Sequence, residues 1–279
     1  MRAKLTLLLF GLLGLFPSCT GSSARPPLTV TYVANEGFLI EGAGKKVLID
    51  ALFGGWQSDW CDVPSDSIVQ LMTGALPPFD DIDLITVTHD HVDHFGAEIV
   101  AAHLKNNRRG ILVCTPQVAE KLAATEPYAE IKDRIRTVAS PGDSAVLMEI
   151  SGIGLRVLPI PHGGSLERHG NVQHLVFVIT IGGRVLFHSG DASLSDPSLY
   201  YSFGFGKKDI DLAFVQWWSP QEEMMSATQE LVRDIIRPEC IILMHLSPGD
   251  KAVDQSKQKE PVAREVFVPQ YSMQSWVLP

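Results

Sequence analysis

Six consecutive residues, His89 to His94, carry three imidazoles and two carboxylates. They follow an apolar stretch, Ile82–Thr88, that predicts a buried strand, and they precede a helical pattern. A loop at a strand end can wrap nitrogen and oxygen donors around one point, and such a mixed set suits borderline-soft divalent ions, zinc above all. His89 and His91 can point the same way, whereas the adjacent Asp93 and His94 must diverge. The spacing therefore favours two metal ions over one.

Three further donors follow apolar runs elsewhere in the chain: His162, Asp191 and His245. Glycine lies beside the first two and permits close approach of the backbone. A solvated polar loop is the alternative explanation for the His89–His94 segment, and it predicts no matching donors elsewhere. Donors at four strand ends therefore favour a metal centre.

Alternating strands and helices must position these loops. The predicted strands are Leu28–Val33, Gly37–Glu41, Lys45–Asp50, Ile82–Thr88, Ile111–Cys114, Ala145–Ile150, Leu155–Ile160, Val172–Ile181, Arg184–His188, Asp211–Trp217 and Cys240–His245. Helices are predicted at 65–73, 96–107, 117–125 and 222–236. No repeat and no boundary rich in proline, serine or charge divides the chain, so we predict one α/β domain over residues 28–279. Residues 255–260 are polar and predicted to be mobile, whereas 262–279 are apolar enough to pack on the domain.

Composition limits the class of protein. Of 279 residues 45% are hydrophobic and 20% charged, which excludes a mainly disordered chain, a collagen-like repeat and a multi-span membrane protein. The net charge of −9 offers no broad cationic surface to a phosphate backbone, so no nucleic-acid partner is expected. Four cysteines are too few for a disulfide scaffold, and Cys114 and Cys240 lie in strand-like runs typical of buried thiols.

The N-terminus resembles an export signal. Arg2 and Lys4 precede an apolar run of twelve residues, Leu5 to Phe16, which is too short to span a bilayer. Pro17-Ser18-Cys19 resembles a bacterial lipoprotein box, so we favour a signal peptide over 1–18, a lipid anchor at Cys19 and a tether over 19–27. Cleavage after Ala24, releasing a soluble protein, is the alternative. Either process predicts an exported protein of the bacterial cell envelope, facing the periplasm or the exterior. Removal of residues 1–18 leaves 21 basic against 32 acidic residues, a net charge of −11.

The order His-x-His-x-Asp-His, a distant His, Gly-Asp and a final His resembles the metallo-β-lactamase superfamily. The resemblance runs from about Thr31 to Pro248 and is strongest to the dinuclear hydrolases that include ascorbate-phosphate lactonases and N-acyl phospholipases. It implies an αββα four-layer sandwich with metals at one edge between the sheets. By position, His89, His91 and His162 would hold one ion, Asp93, His94 and His245 the other, and Asp191 would bridge them. Asp50 resembles an aspartate that orients a ligand imidazole.

Particular residues distinguish the branches of this superfamily. Class B β-lactamases lack the bridging aspartate, so Asp191 argues against antibiotic hydrolysis. Diiron oxygen-reducing relatives replace the second histidine by glutamate, so His91 argues against them. The tRNA-end nucleases share the ligands, but an acidic exported chain does not suit them.

The resemblance predicts an exported metal-dependent hydrolase in which a hydroxide bridging two divalent ions cleaves an ester, lactone or phosphodiester of a small or lipid-like molecule. Zinc is favoured, with manganese or iron as alternatives. Asp93 and His245 are the candidate catalytic residues, Asp93 because it could also accept the proton of the nucleophile. The alternatives are a mononuclear-iron oxidoreductase of the same fold and a non-catalytic metal-binding surface protein.

Other side chains support weaker expectations. Residues in loops that could contact a substrate are Trp56, Trp60, Arg168, His169, Trp217 and Trp218. His103 is predicted to be at the surface or partly packed, His174 to be structural within a strand, and His188 to be either a strand residue or a support for the metal site. Lys207 and Lys208 are predicted to form a solvated turn.

Overall fold

The computed structural model describes residues 25–142, 144–194, 196–205, 210–216, 228–247, 249, 251 and 263–278. Several predicted features lie outside these residues. They are the signal peptide, Cys19, the N-terminal part of the tether, Lys207-Lys208, Trp217-Trp218, the first part of the helix at 222–236 and the polar segment 255–260. Among the described residues, no helix combines the length and the apolar character needed to cross a bilayer.

Two seven-stranded mixed sheets form the centre of the fold. The first has the order β14-β1-β2-β3-β4-β5-β6, with β1 Leu28–Ala34, β2 Gly37–Gly42, β3 Lys45–Ile49, β4 Leu84–Thr86, β5 Ile111–Cys114, β6 Ile135–Thr137 and β14 Ser275–Leu278. The second has the order β13-β12-β11-β10-β9-β8-β7, with β7 Val146–Ile150, β8 Ile153–Leu158, β9 Val176–Ile181, β10 Arg184–His188, β11 Ile210–Gln216, β12 Pro238–Met244 and β13 Glu265–Phe267.

Helices cover the outer face of each sheet. The helices are α1 Asp66–Thr73, α2 Ala97–Asn106, α3 Pro116–Ala123, α4 Tyr128–Ile131, α5 Leu166–His169 and α6 Pro197–Ser202, with a 3₁₀ turn at Lys132–Arg134 and a π-helical segment at Leu231–Ile236. An apolar cluster containing Phe38, Phe177 and Phe214 fills the space between the sheets. A second cluster packs α1 to α3 on the first sheet, and a third packs α6 and the π-helical segment on the other. These four layers confirm the predicted αββα sandwich.

The carboxyl ends of strands from both sheets meet at one edge of the sandwich. Strands β3, β4 and β5 are parallel to one another, and so are β10, β11 and β12, so their carboxyl ends point the same way within each sheet. The loops that follow β4, β8, β10 and β12 carry the histidines and aspartates predicted to bind metal. An isolated antiparallel bridge between His162 and Ala192 joins two of these loops.

The predicted strands agree in position with the observed ones, but two are shorter than expected. The stretch Ile82–Thr88 is a strand only over β4, because the Thr88 amide donates to the Asp50 carboxylate rather than to a neighbouring strand. In Val172–Ile181 the strand begins at Val176. Before it, the Leu175 amide bonds to the Thr88 carbonyl, so His174 lies in a loop and not within a strand.

The prediction for His103 was wrong. This residue of α2 is fully buried against α1, and its Nδ1 lies 2.7 Å from the Met72 carbonyl oxygen. Burial lowers the pKa of His103 to about 4, so the ring is neutral and serves as a packed hydrogen-bond donor between α1 and α2.

The C-terminal segment packs on the domain, as predicted for its described part, 263–278. β14 pairs antiparallel with β1, and β13 pairs parallel with β12, so this segment supplies an edge strand to each sheet. The three described cysteines, Cys61, Cys114 and Cys240, are all free.

Candidate metal centre

All seven predicted ligands lie in one cluster at the edge between the sheets. His89, His91, His162 and Asp191 form one group of closely spaced donor atoms, and His94, Asp191 and His245 belong to a second group. Asp93 lies against the second group, 3.5 Å from both His94 Nε2 and His245 Nε2, measured at its Oδ2. The fold therefore brings together the residues that the family resemblance assigned as ligands.

Asp191 occupies the centre of this cluster. Its Oδ2 atom lies 3.7 Å from His89 Nε2, 3.2 Å from His162 Nε2 and 3.6 Å from His94 Nε2. Its Oδ1 atom lies 3.7 Å from His245 Nε2. One carboxylate thus faces imidazoles of both groups, which is the position that a ligand shared by two ions must have.

Gly190 allows Asp191 to reach this position. Its φ of 49° is in the left-handed region, and a Cβ atom there would lie 2.6 Å from His174 Nε2 and 2.7 Å from Thr88 Cγ2. Asp50 and His245, which are not glycine, also have positive φ angles, of 43° and 55°. Such conformations are costly for residues with a Cβ and concentrate at functional sites.

Hydrogen bonds at Nδ1 orient the ligand imidazoles. His94 Nδ1 lies 2.9 Å from Asp50 Oδ2, and His162 Nδ1 lies 2.6 Å from the Gly163 carbonyl oxygen. Both partners accept, so Nδ1 carries a hydrogen and Nε2 is the ring nitrogen that faces the centre. The Nε2 atoms of His89, His94 and His162 are buried and make no hydrogen bond within the protein.

Asp50 controls two ligands at once. Its carboxylate accepts from the Thr88 amide at 2.8 Å, from the Thr88 hydroxyl at 2.5 Å and from His94 Nδ1. Because the Thr88 hydroxyl donates to Asp50, it can accept from His89 Nδ1, which lies 3.0 Å away. Asp50 therefore orients His94 directly and His89 through Thr88, which confirms its predicted role.

The charges of the two groups differ. Burial lowers the pKa of His89 and of His91, and nearby imidazoles lower both further. Burial also acts against protonation of His94 and His245, but the neighbouring Asp93 and Asp191 carboxylates outweigh it and raise the pKa of both. Conversely, burial raises the pKa of Asp93 and Asp191, yet the surrounding imidazoles hold both well below their usual range. In the second group, therefore, the Asp93 and Asp191 carboxylates favour their ionised forms, and the His94 and His245 imidazoles bind protons more tightly than usual.

These features fit divalent metal ions. The Nε2 atoms of three histidines and one oxygen of Asp191 have no hydrogen-bond partner in the protein, and buried polar atoms are rarely left without one. Imidazole and carboxylate donors in this mixture suit zinc, manganese or iron. The residues that would hold metal are the seven that the family resemblance assigned as ligands.

The β1–β2 turn contributes two residues that the sequence analysis treated only as a turn. Asn35 and Glu36 are fully buried, and the Asn35 amide donates to Asp93 Oδ2 at 3.0 Å. His188 Nε2 donates to the Glu36 carbonyl oxygen at 3.0 Å and accepts from the Gly190 amide at Nδ1, so His188 is a neutral support for the turn. One feature of the sequence could have indicated this role. Glu36 is a charged residue between the apolar runs of β1 and β2, and their turn lies at the same edge as the ligand loops.

Aromatic rings lie against both ends of the cluster. Trp60 stacks on His245 with ring centroids 6.2 Å apart, and Trp56 stacks on Trp60 at 5.9 Å. At the other end His169 stacks on His162 at 4.3 Å, with the ring planes 9° apart. Trp60 is 47% exposed, so part of its ring faces solvent beside a ligand. Arg168, in the same loop as His169, is exposed.

Cys61 lies next to Trp60 in the chain but is not suited to act as a nucleophile. Burial raises the pKa of the Cys61 thiol to about 11, so it is protonated at neutral pH. His174, buried near His89, donates from Nδ1 to the Ile160 carbonyl, and burial lowers its pKa to about 3. Its hydrogen bond supports the predicted structural role.

The αββα architecture and this cluster of histidines and aspartates define the class of metallo-β-lactamase fold proteins. A sequence profile of the beta-lactamase superfamily domain matches residues 45–258, and the chain belongs to this family. A metal-dependent hydrolase of Pyrococcus abyssi is 25% identical over 183 residues, which cover 66% of this chain and 70% of the relative.

Solved structures show the same fold. The structure of a metal-dependent hydrolase from Parabacteroides distasonis superimposes with a TM-score of 0.60 at 16% identity, covering 88% of this chain and 94% of the other. The metallo-beta-lactamase fold protein YhfI of Bacillus subtilis gives a TM-score of 0.58 at 16% identity, with coverages of 91% and 100%. Family and relatives together identify the protein as a metal-dependent hydrolase of the metallo-β-lactamase superfamily.

Replacement of Asp50 tests the orientation of the ligands. We expect Asp50→Asn to weaken binding of both ions by about ten- to hundredfold, because His94 and His89 lose their common anchor. Competition with a chromogenic chelator measures both affinities. Asp90→Asn is the matched control, since Asp90 lies between two ligands but pairs with Lys121 at 2.7 Å. Unchanged affinities in Asp50→Asn would contradict the orienting role.

The charge difference between the groups predicts a pH dependence of metal binding. An ion entering the second group must displace protons from His94 and His245, whose pKa values are raised, whereas His89 and His91 are already neutral. Lowering the pH from about 8 to about 6 should therefore weaken the second ion more than the first. Calorimetric zinc titrations across this range, with proton release measured in two buffers, test this. Equal loss at both sites would contradict the assignment of charges.

Proposed function

We propose that the protein is an exported hydrolase with two divalent metal ions, zinc being favoured. The position of Asp191 carries the dinuclear part of this proposal, since its carboxylate faces Nε2 atoms of both groups of imidazoles. When bound, two ions would supply a water of lowered pKa and polarise a carbonyl or phosphoryl oxygen of the substrate.

Asp93 is the residue we assign to proton acceptance. Its Oδ2 atom faces the centre, and its pKa is low despite burial because His94 and His245 surround it. The Asn35 amide donates to the same oxygen and so fixes the orientation of this carboxylate. His245, 3.5 Å from Asp93 Oδ2, balances the carboxylate's charge and forms the solvent-facing side of the same group, since its side chain is partly exposed.

The direction of access follows from which ligands reach the surface. The side chains of His89, His94 and His162 are buried, whereas His91 and His245 are partly exposed. A substrate must therefore approach between the ring of Trp60 at one end and that of His169 at the other. Trp60 offers an apolar plane, and His169 offers an imidazole that could contact an oxygen of the substrate.

This surface supports a small or lipid-like substrate carrying an apolar group beside an ester, lactone or phosphodiester. The proposed lipid anchor at Cys19 would hold the enzyme at the membrane, where such molecules are concentrated. The acidic mature chain does not favour a nucleic-acid substrate. A bridging position for Asp191 is more useful to two ions than to one, so the dinuclear hydrolase is preferred over a mononuclear oxidoreductase.

Metal analysis joined to a substrate panel tests the proposed function. The purified protein, supplied with zinc or manganese, should bind two ions per chain and hydrolyse at least one class among lactones, thioesters, phosphomonoesters, phosphodiesters and carboxylic esters. Asp191→Ala and His162→Ala should each lose metal. A stoichiometry near zero in the parent protein, or full retention of metal in both variants, would refute the site. A single iron per chain would favour oxidative chemistry instead.

Trp60→Ala tests the apolar recognition surface. We expect KM for a substrate with an aromatic or acyl group to rise roughly three- to tenfold, because one aromatic contact contributes about 1 kcal/mol, with little change in kcat. The measurement is a series of esters of increasing acyl length. Tyr201→Ala, at an exposed aromatic residue of α6, is the control. A KM for Trp60→Ala that is independent of acyl length would exclude Trp60 from substrate binding.

A further inference from the structure

Glu36 is a buried acid that the seven predicted ligands do not account for. Its side chain has no solvent exposure, and neither carboxylate oxygen makes a hydrogen bond. Burial, and after it the charge of the nearby Asp191 carboxylate, raises the pKa of Glu36 well above its ordinary value. The ionised form of Glu36 therefore requires a positive partner close to it, because burial removes the water that would stabilise its charge. The question is which group provides that partner.

The neighbours of Glu36 are already engaged. Asp50 accepts three hydrogen bonds, and His94 Nδ1, which lies 3.7 Å from Glu36 Oε2, donates to Asp50 instead. Both ring nitrogens of His188 are used, one by the backbone of Glu36 itself. Among the described residues, none donates a hydrogen bond to the Glu36 carboxylate.

The carboxylate instead faces the second metal group. One oxygen of Glu36 and single donor atoms of His94, Asp191 and His245 all lie within 4.8 Å of one another. Atoms bound to one ion at about 2.1 Å can be at most about 4.2 Å apart, so a small side-chain shift would bring Glu36 into contact. The turn that holds Glu36 is tied to the same group, because the Asn35 side chain donates to Asp93.

We propose that Glu36 is an additional oxygen ligand of the second metal ion, an inference that rests on the proposed dinuclear site. The first ion would then be held by His89, His91, His162 and the shared Asp191. The second would be held by His94 and His245 together with three carboxylates, those of Asp93, Asp191 and Glu36.

This difference in donors gives the two sites different metal preferences. Three imidazoles suit zinc, whereas carboxylate oxygens favour harder ions and larger coordination numbers, as with manganese. The protein should therefore accept a mixed pair, with zinc in the first site and manganese in the second. Replacement of Glu36 should remove this preference without affecting the first site.

The test is metal binding by the full chain, with Glu36→Gln as the main variant. Zinc is supplied at one equivalent, and manganese is then titrated and followed by electron paramagnetic resonance, with bound metals counted by mass spectrometry. We expect Glu36→Gln to lower manganese affinity by at least about tenfold and to leave the zinc equivalent bound. Glu41→Gln, a glutamate on the same hairpin that pairs with Lys46, is the matched control.

The outcomes separate the two proposals. Two ions bound with parent affinity in Glu36→Gln would overturn the role of Glu36 and leave the dinuclear site intact. One ion in the parent protein would refute the dinuclear site, and with it the second ion that Glu36 is proposed to bind. Retention of zinc in the variant shows that the cluster is folded.

A measurement on the parent protein does not depend on the variant's folding. X-ray absorption at the manganese edge of the mixed zinc and manganese protein should show two imidazoles and at least four oxygen donors, counting one water. Two imidazoles with only three oxygens would be accounted for by Asp93, Asp191 and water, and would overturn the proposal.

Discussion

The hydrogen bonds of one buried carboxylate, that of Asp50, determine how the metal-binding end of this fold is organised. Asp50 follows β3, and Thr88 follows the parallel neighbour β4, so the pairing of these two strands brings the acceptor beside its donors. The carboxylate ends the β4 ladder at Thr88, and the chain turns there into the His89–His94 loop. Through His94 and through Thr88 it also sets the direction of an imidazole in each metal group. The end of strand β4 and the orientation of the His89 and His94 imidazoles therefore both depend on the Asp50 carboxylate.

The same region concentrates acidic side chains where water is excluded. Glu36, Asp50, Asp93 and Asp191 are all buried. Burial and the nearby Asp191 raise the pKa of Glu36, whereas the surrounding imidazoles hold the pKa values of Asp93 and Asp191 low despite burial. A bound metal ion would favour the ionised form of every carboxylate close to it, so the charge of the centre depends on Glu36 as well as on the predicted ligands. Metal binding and the stability of this end of the fold are therefore coupled.

The sequence predicted the position of a residue where the residues next to it in the chain indicated its secondary structure and burial. His162, Asp191 and His245 each follow an apolar run, so a strand end and its loop could be recognised, and the ligand set followed from the resemblance. Glu36 lies in a two-residue turn, where an acid is ordinarily exposed to solvent. The second sheet buries this turn, and that long-range contact cannot be recognised from the local sequence. The prediction for His103 was wrong for the same reason. Its burial against α1 arises from a long-range contact that helical periodicity does not indicate. The edge strands β6, β13 and β14 are short, and pairing rather than composition makes them strands.

Catalytic and recognition residues occupy different kinds of structure. The predicted ligands follow strands whose hydrogen-bonded ladders limit their movement, and their Nδ1 atoms are anchored by Asp50, by Thr88 and by the Gly163 carbonyl. Trp60 lies in a long irregular segment, and His169 in the single turn of α5, each stacked against one ligand ring. Substitution at these two positions changes what meets the substrate without removing a donor from the metals. Family membership therefore predicts the metal chemistry of this protein far better than its substrate, which depends on loops free to vary.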